Sequence, residues 1–342
     1  MKTIVLGTSN IKCDQNAFGA LAIQRLLMQD AIDLIQQAYN NGFCFFNTAR
    51  FYTDSEEKIG IALKNIKRKS FYIATKTKAE TPAAFWKDLN TSLNYLKTDY
   101  VDLYQFQCTN KIYKPNDGTG MYECMMKAKD DGFIHHIGLS THNLKIAKNA
   151  IISGLYETIQ YPLSYLSGKE ELELISLCKN YNVGFIATKI RNDGLLPQMD
   201  LSIAYMSQFD NVLCVWDIQR ESELNTLLDL TKKIPVLDDD KKDRIHKEVI
   251  KFTNHFCHGC KECLPCPKNI KIDTCLRSML SYKRANEIEP DIKNEMMKIK
   301  ECVHCNLCRI RCPYDLDVPE MLKQNLKEYL NASGGNEDKN EL

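Results

Sequence analysis

Eight cysteines near the C-terminus constrain this chain more than any other feature. They form two runs, Cys257-x-x-Cys260-x-x-Cys263-x-x-Cys266-Pro267 and Cys302-x-x-Cys305-x-x-Cys308-x-x-x-Cys312-Pro313. Three cysteines spaced by two residues can turn their sulfurs inward from one tight loop, as a cubane [4Fe–4S] core requires. The fourth thiolate arrives from elsewhere, and the proline after it stops that segment from continuing the loop. Structural zinc takes paired Cys-x-x-Cys units, four ligands per ion. It does not usually need a third x-x-spaced cysteine and a Cys-Pro in both halves. A disulfide framework calls for secretion, to which nothing in the chain points.

The second run has the spacing of the bacterial ferredoxins, and the first is a variant one residue shorter. In two-cluster ferredoxins the fourth cysteine of each run ligates the other cluster. That resemblance implies one cluster on Cys257, Cys260, Cys263 and Cys312. It implies a second on Cys302, Cys305, Cys308 and Cys266.

Of the fifteen cysteines, Cys275 lies between the runs and six are scattered before Lys232. Cys44 and Cys214 sit in apolar runs, where buried thiols are unremarkable. One lysine and the short apolar stretch Ile4 to Leu6 fall short of a signal peptide, so a cytoplasmic protein is expected. A formal net charge of +1 argues against nucleic acid or membrane as a partner chosen by bulk electrostatics. No apolar run is long enough to span a bilayer.

Ahead of the cysteines, short apolar runs alternate with amphipathic segments as far as Lys232. Strands are expected at Phe18–Ala22, Phe43–Asn47, Phe71–Thr75, Val101–Phe106, His136–Leu139, Thr158–Gln160, Val183–Ala187 and Val212–Val215. Helical patterns between them cover Ala31–Asn40, Glu56–Lys67, Pro82–Leu96, Tyr122–Asp131, Leu144–Ser153, Glu170–Asn180 and Glu221–Leu230. Eight such units predict the α/β class and a (β/α)8 barrel, the TIM-barrel architecture. No G-x-G-x-x-G marks the first turn, which weighs against an open dinucleotide-binding sheet. The first residues, to about Lys12, suggest a hairpin plugging the barrel bottom. The expected division is a barrel over 1–232, a charged linker over 233–244, a small α-rich ferredoxin-like domain over 245–322, and a partly disordered tail over 323–342.

Working residues of such barrels lie at the C-terminal ends of strands. Here those ends carry Asn47, the following loop with Tyr52, then Lys76 and Gln107. A lysine closing an apolar strand either snorkels to solvent or works in the mouth. The stretch Gly42 to Gly60, the Tyr52-to-Lys76 spacing, Asp102-Leu103-Tyr104-Gln105 and Gly138-Leu139-Ser140 together resemble the aldo/keto reductase family, over about residues 15 to 230. With the cysteine module, the whole chain resembles bacterial aldo/keto reductases that carry a C-terminal ferredoxin-like domain with two [4Fe–4S] clusters.

The resemblance implies hydride transfer between a nicotinamide, NADP(H), and a carbonyl. Tyr52 matches the family's proton donor and Lys76 its lysine. A neighbouring ammonium lowers a tyrosine from its ordinary pKa of about 10. Asn47 stands where the family has an aspartate, and Gln107 where it has a histidine. Asn47 still accepts a hydrogen bond without bringing a counter-charge, and Gln107 donates an N–H without shuttling a proton. His142, in the same mouth, is a candidate substitute imidazole. Ser140, Asn143 and Gln160 resemble the carboxamide-binding positions, with strand-end capping as the competing reading. Arg220, at the start of a helix, suits a dinucleotide phosphate, and Lys189 and Arg191, after the seventh strand, suit a phosphate, a flavin or an acidic substrate alike.

Clusters pass single electrons while nicotinamide delivers a hydride, and a flavin normally mediates between them. The expected function is an iron–sulfur oxidoreductase coupling one-electron transfer to redox chemistry on a small molecule at the barrel mouth. A ferredoxin or flavodoxin-like protein would be its electron donor. The alternative is a degenerate barrel, with Asn47 and Gln107 as its marks, serving as an electron carrier or scaffold.

Overall fold

Eight parallel strands close on themselves in the order in which the sequence lays them down. The computed structural model describes residues 2–107, 109, 111–252, 256–285 and 292–333. The chain divides into two compact units, Met1–Ile190 with Gln198–Leu237, and Arg191–Pro197 with Asp238–Leu342.

In the first unit a hairpin, β1 (Thr3–Leu6) and β2 (Ile11–Asp14), precedes the barrel strands. These are β3 (Asn16–Gly19), β4 (Phe45–Asn47), β5 (Tyr72–Thr77), β6 (Val101–Phe106), β7 (Ile134–Ser140), β8 (Thr158–Pro162), β9 (Gly184–Thr188) and β10 (Val212–Asp217). β10 pairs with both β9 and β3, which closes the barrel. The intervening helices are α1 (Met28–Asn40), α2 (Ser55–Leu63), α3 (Pro82–Leu96), α4 (Met121–Asp130), α5 (Leu144–Ser153), α6 (Lys169–Asn180), α7 (Met199–Met206) and α8 (Glu221–Lys232).

Period-two alternation sorts each strand into two faces. Phe18, Phe46, Ile73, Tyr104, Ile137 and Phe185 face outward into the helix layer. Ala17, Phe45, Ala74, Leu103, Ile186 and Leu213 face inward and pack with Ile4, Leu6, Ile11 and Cys13 of the hairpin. The hairpin therefore seals the N-terminal end with apolar side chains. One pleat further up, the inward positions turn polar: Phe45 gives way to Asn47, Ala74 to Lys76 and Leu103 to Gln105. That switch sets the depth of the mouth.

A half-buried ionic cluster lies at the start of β8. Glu157 accepts from Lys129 Nζ at 2.6 Å and from the Ile137 amide at 3.1 Å, and His136 Nδ1 lies 2.7 Å from its other oxygen. Burial alone would raise this carboxyl, but His136 and Lys129 hold it below its ordinary value of 4.5. A lowered native value gives stability that is present above the unfolded value and lost as the pH falls through the native one. Glu157→Gln is thus expected to cost about 1 kcal/mol at neutral pH, solvent screening included. Urea denaturation across the acid range should show wild type and variant converging below the lowered value.

In the second unit, α9 (Asp239–Phe252), α10 (Ile272–Ala285), α11 (Ile292–Met297), α12 (Leu307–Ile310) and α13 (Val318–Ala332) surround the cysteine loops. Their core includes Ile270, Leu276, Met296, Leu322, Leu326 and Tyr329.

The structure adds to or departs from the expected elements in the following places. The first barrel strand starts earlier than Phe18–Ala22, because its pairing with β10 runs from Asn16 to Gly19. Helix α7 had no forecast: most of its residues are buried, so it lacks a polar face that would show a period. The charged stretch 233–244 is not all linker. Asp238 accepts from the Lys241 amide at 3.0 Å and starts α9. The tail from 323 is helical through Ala332, with Leu326 and Tyr329 in the core. Residues 334–342 lie outside the described residues. Among the described residues no helix is long and apolar enough to cross a membrane.

Candidate active site and cluster-binding loops

Lys76 is the centre of the barrel mouth. Its side chain is fully buried on β5, and Nζ donates to Asn47 Oδ1 at 2.9 Å and to the Thr48 carbonyl at 2.6 Å. The Tyr52 ring centroid lies 5.8 Å from Nζ. Tyr52 reaches that place on the turn between β4 and α2, where its amide donates to Ala49 O at 3.0 Å and Thr53 adopts a left-handed φ of 39°.

Residues passed over in the sequence pin this turn. Arg50 pairs with buried Glu56, which also accepts from Thr75 Oγ1 at 2.6 Å. Ser55 Oγ lies 2.8 Å from Thr48 Oγ1 and donates to Ala20 O at 3.0 Å. Buried Lys58 donates to Ile23 O and Leu26 O at 2.9 and 2.8 Å and pairs with Asp54. Charge in the first turns of α2 was visible in the sequence, but its inward direction was not.

Gln107 follows β6 and is buried, its Oε1 without a hydrogen-bond partner. Ser140 and Gln160 stand opposite each other at the ends of β7 and β8, and Gln160 Oε1 is likewise unpartnered. Below them, both polar atoms of Gln105 and Thr158 Oγ1 are also buried without partners. Gly138 lies between: a Cβ there would stand 2.2 Å from Thr158 Oγ1 and 3.1 Å from Gln105 Nε2. Only glycine leaves room for these groups, so the mouth has a floor of open hydrogen-bonding capacity. Gly19 plays the same part beside Asp217, whose Oδ1 would be 2.7 Å from an added Cβ.

Other candidates are placed differently. Asn143 Oδ1 accepts from the Ile146 amide at 3.0 Å as the N-cap of α5, the structural role weighed against carboxamide binding. His142 is half-buried in the adjoining turn. Lys189, half-buried after β9, has a left-handed φ of 57°. Arg220 is the exposed residue before α8, and Glu223 already accepts from the Gln219 and Arg220 amides at 2.9 and 3.3 Å. A phosphate arriving there would meet that carboxylate. The carboxamide end of a nicotinamide thus fits the residues present better than the phosphate end does.

The cysteine loops of the second unit are two copies of one backbone design. Gly259 and Lys261 are left-handed at 70° and 65°, and His304 and Asn306, at the matching places after Cys302, at 51° and 58°. Asn269, three residues after Cys266, and Asp315, three after Cys312, repeat the agreement at 54° and 51°. Alternating hand in this way turns x-x-spaced sulfurs to one side. The extra residue of the second run falls in the helical turn α12.

The sulfurs of the two runs share surroundings. Burial pushes the Cys260 thiol up to about 11, with Cys257 and Cys312 adding to the rise. Burial also raises Cys308, with Cys302 and Cys305 adding to it. Cys266, Cys302, Cys305 and Cys308 line one pocket, and Cys263 lines it with them. His258, after Cys257, stacks on Phe256 at 4.3 Å and on Tyr314, two residues after Cys312, at 3.6 Å. Arg277 donates to Cys257 O at 3.1 Å and pairs with Asp193. Among the described residues no group of three or more His, Cys, Asp or Glu side chains is gathered for a single metal ion. The donor chemistry and repeated loops fit two [4Fe–4S] clusters.

Comparison with known proteins agrees with both units. Residues 3–233 match the model of the aldo/keto reductase family, and residues 256–317 match a 4Fe-4S dicluster domain. The chain is 26% identical over 204 residues to a probable aldo-keto reductase 1 of Glycine max, covering 54% of this chain and 58% of that one. It is 31% identical over 191 residues to methylglyoxal reductase DkgB of Yersinia pestis, covering 53% and 64%. The match thus spans less than two thirds of either relative. A solved aldo-keto reductase from Klebsiella pneumoniae in complex with NADPH superposes with a TM-score of 0.61 at 18% identity, over 73% of this chain and 95% of that one.

Proposed function

This chain belongs to the aldo/keto reductase family, and we propose that it is an iron–sulfur oxidoreductase that reduces a small carbonyl compound at its barrel mouth while exchanging single electrons through its C-terminal unit. The observation that carries this reading is the buried Lys76 ammonium, held by Asn47 and Thr48 with the Tyr52 ring beside it. A nicotinamide, when bound, supplies a hydride to a carbonyl carbon, and a [4Fe–4S] cluster, when bound, supplies or takes single electrons. The NADPH complex of the Klebsiella pneumoniae reductase and the methylglyoxal reductase of Yersinia pestis support a nicotinamide and a small carbonyl. They give a flavin no support.

The residues divide the work by what each can donate. Tyr52 gives its hydroxyl proton to the alkoxide oxygen as charge develops there. Lys76 stabilises the phenolate left behind, and Asn47 and Thr48 fix Nζ in place. Gln107 donates an amide N–H to the carbonyl oxygen and turns the substrate toward Tyr52. Because an amide exchanges no proton near neutrality, Tyr52 is the acid of this site. Ser140 and Gln160 hold the carboxamide, Gln160 through its open Oε1.

The test uses full-length protein purified without oxygen, with methylglyoxal as the probe carbonyl. NADPH oxidation should depend on the carbonyl. Gln107→His should raise kcat about tenfold and introduce a pH dependence near the ordinary histidine value of about 6.5. If neither protein consumes NADPH with the probe, reduction of small carbonyls in this mouth is wrong.

A further inference from the structure

The two candidate cluster sets differ in how they meet solvent. Cys257 and Cys263 are buried, whereas Cys305 is exposed. Around Cys305 the large apolar side chains Val303, Leu307 and Ile310 are 56, 37 and 78% exposed. Apolar side chains exposed together over residues 303–310, the loop after Cys302 and helix α12, mark a surface that something covers.

The margin of this patch says what kind of partner fits. The pocket lined by Cys266, Cys302, Cys305 and Cys308 also takes in Val303, Leu307 and Lys268, and among the described residues no carboxylate lines it. Exposed Arg311 donates to the carbonyl of Pro265, another residue of that pocket, at 3.1 Å. Arg309, beside Ile310, pairs with Asp317 at 3.2 Å. An apolar centre with Lys268 and Arg311 at its edge attracts an acidic surface and repels a second copy of itself.

We propose that the face formed by Val303, Leu307 and Ile310, with Lys268 and Arg311 at its margin, is the docking surface for a small acidic one-electron carrier protein. The proposal rests on reading Cys266, Cys302, Cys305 and Cys308 as ligands of one cluster, since the carrier would be seated over the exposed Cys305. Electron-transfer encounters sit at the small end of protein interfaces and dissociate readily, which a few apolar side chains with a charged margin suit.

Calorimetric titration of the full-length, iron-loaded protein with purified flavodoxin, an acidic carrier, tests the surface. Binding should weaken at least about tenfold when ionic strength rises from about 0.05 to about 0.5 M. Ile310→Glu and Lys268→Glu should each weaken it about tenfold or more. Ile250→Glu, at another exposed apolar position on α9, should leave it unchanged. Ile310 is mostly exposed, so its replacement leaves the core intact.

Absence of flavodoxin binding, or equal affinity in wild type, Ile310→Glu and Lys268→Glu, overturns the proposal. Iron analysis of the same samples separates it from the cluster reading. Iron-free protein whose binding still depends on Ile310 upholds the surface and defeats the ligand assignment. Iron-loaded protein indifferent to Ile310 does the reverse.

Discussion

Tyr52→Phe is expected to lower turnover of a small carbonyl compound by about 10²–10⁴-fold, the range typical of a lost general acid. The change removes one oxygen and keeps the ring that lies 5.8 Å from Lys76 Nζ. Packing of the turn should survive, because Arg50, Glu56, Ser55 and Lys58 hold it independently of that oxygen. The loss should therefore fall on kcat with KM little altered, as for an interaction made chiefly in the transition state. Thermal unfolding of the variant should match wild type. Turnover equal to wild type would mark a barrel whose chemistry does not use this tyrosine. Together with an inert Gln107→His, it would favour a carrier or scaffold role.

Cys312→Ala is expected to remove a whole cluster, and the one it removes decides the pairing of the two runs. Iron-loaded protein should hold about eight irons per chain and the variant about four. The stack of Phe256, His258 and Tyr314 joins the neighbourhood of Cys257 to that of Cys312, and burial with Cys312 raises the Cys260 thiol. Cys312→Ala and Cys257→Ala should accordingly leave the same electron-paramagnetic signal, and Cys266→Ala and Cys302→Ala the other. If Cys312→Ala instead leaves the signal left by Cys302→Ala, each run holds its own cluster. A preparation containing zinc and no iron would remove both assignments at once.

The barrel was legible because each strand carries a short apolar run and each helix a one-sided stripe. Val101–Phe106, Pro82–Leu96 and Leu144–Ser153 were read to the residue. Two helices escaped: α7, buried nearly all round and so without a stripe, and α9, whose first turns are a run of charges opened by an aspartate cap. In the site, strand ends identified Asn47, Lys76 and Gln107, since polar residues closing apolar runs are conspicuous. The buried charges of α2 were not legible, because the direction of a charged side chain depends on partners distant in sequence. Arg50 and Glu56 meet across a turn, while Lys58 finds its acceptors at Ile23 and Leu26. Asn143 could be read two ways for a related reason, since capping and ligand binding use the same oxygen.

The Phe256–His258–Tyr314 stack bears on how the second unit is held together. Drawing position 257 to position 312 closes a long loop of chain, and cross-linking a loop of that size costs the unfolded chain about 4 kcal/mol of freedom. Three stacked rings, two beside Cys257 and one near Cys312, offset part of that cost with carbon contacts. The stack thus gives the two cysteine runs a tie through carbon contacts, independent of anything the sulfurs bind.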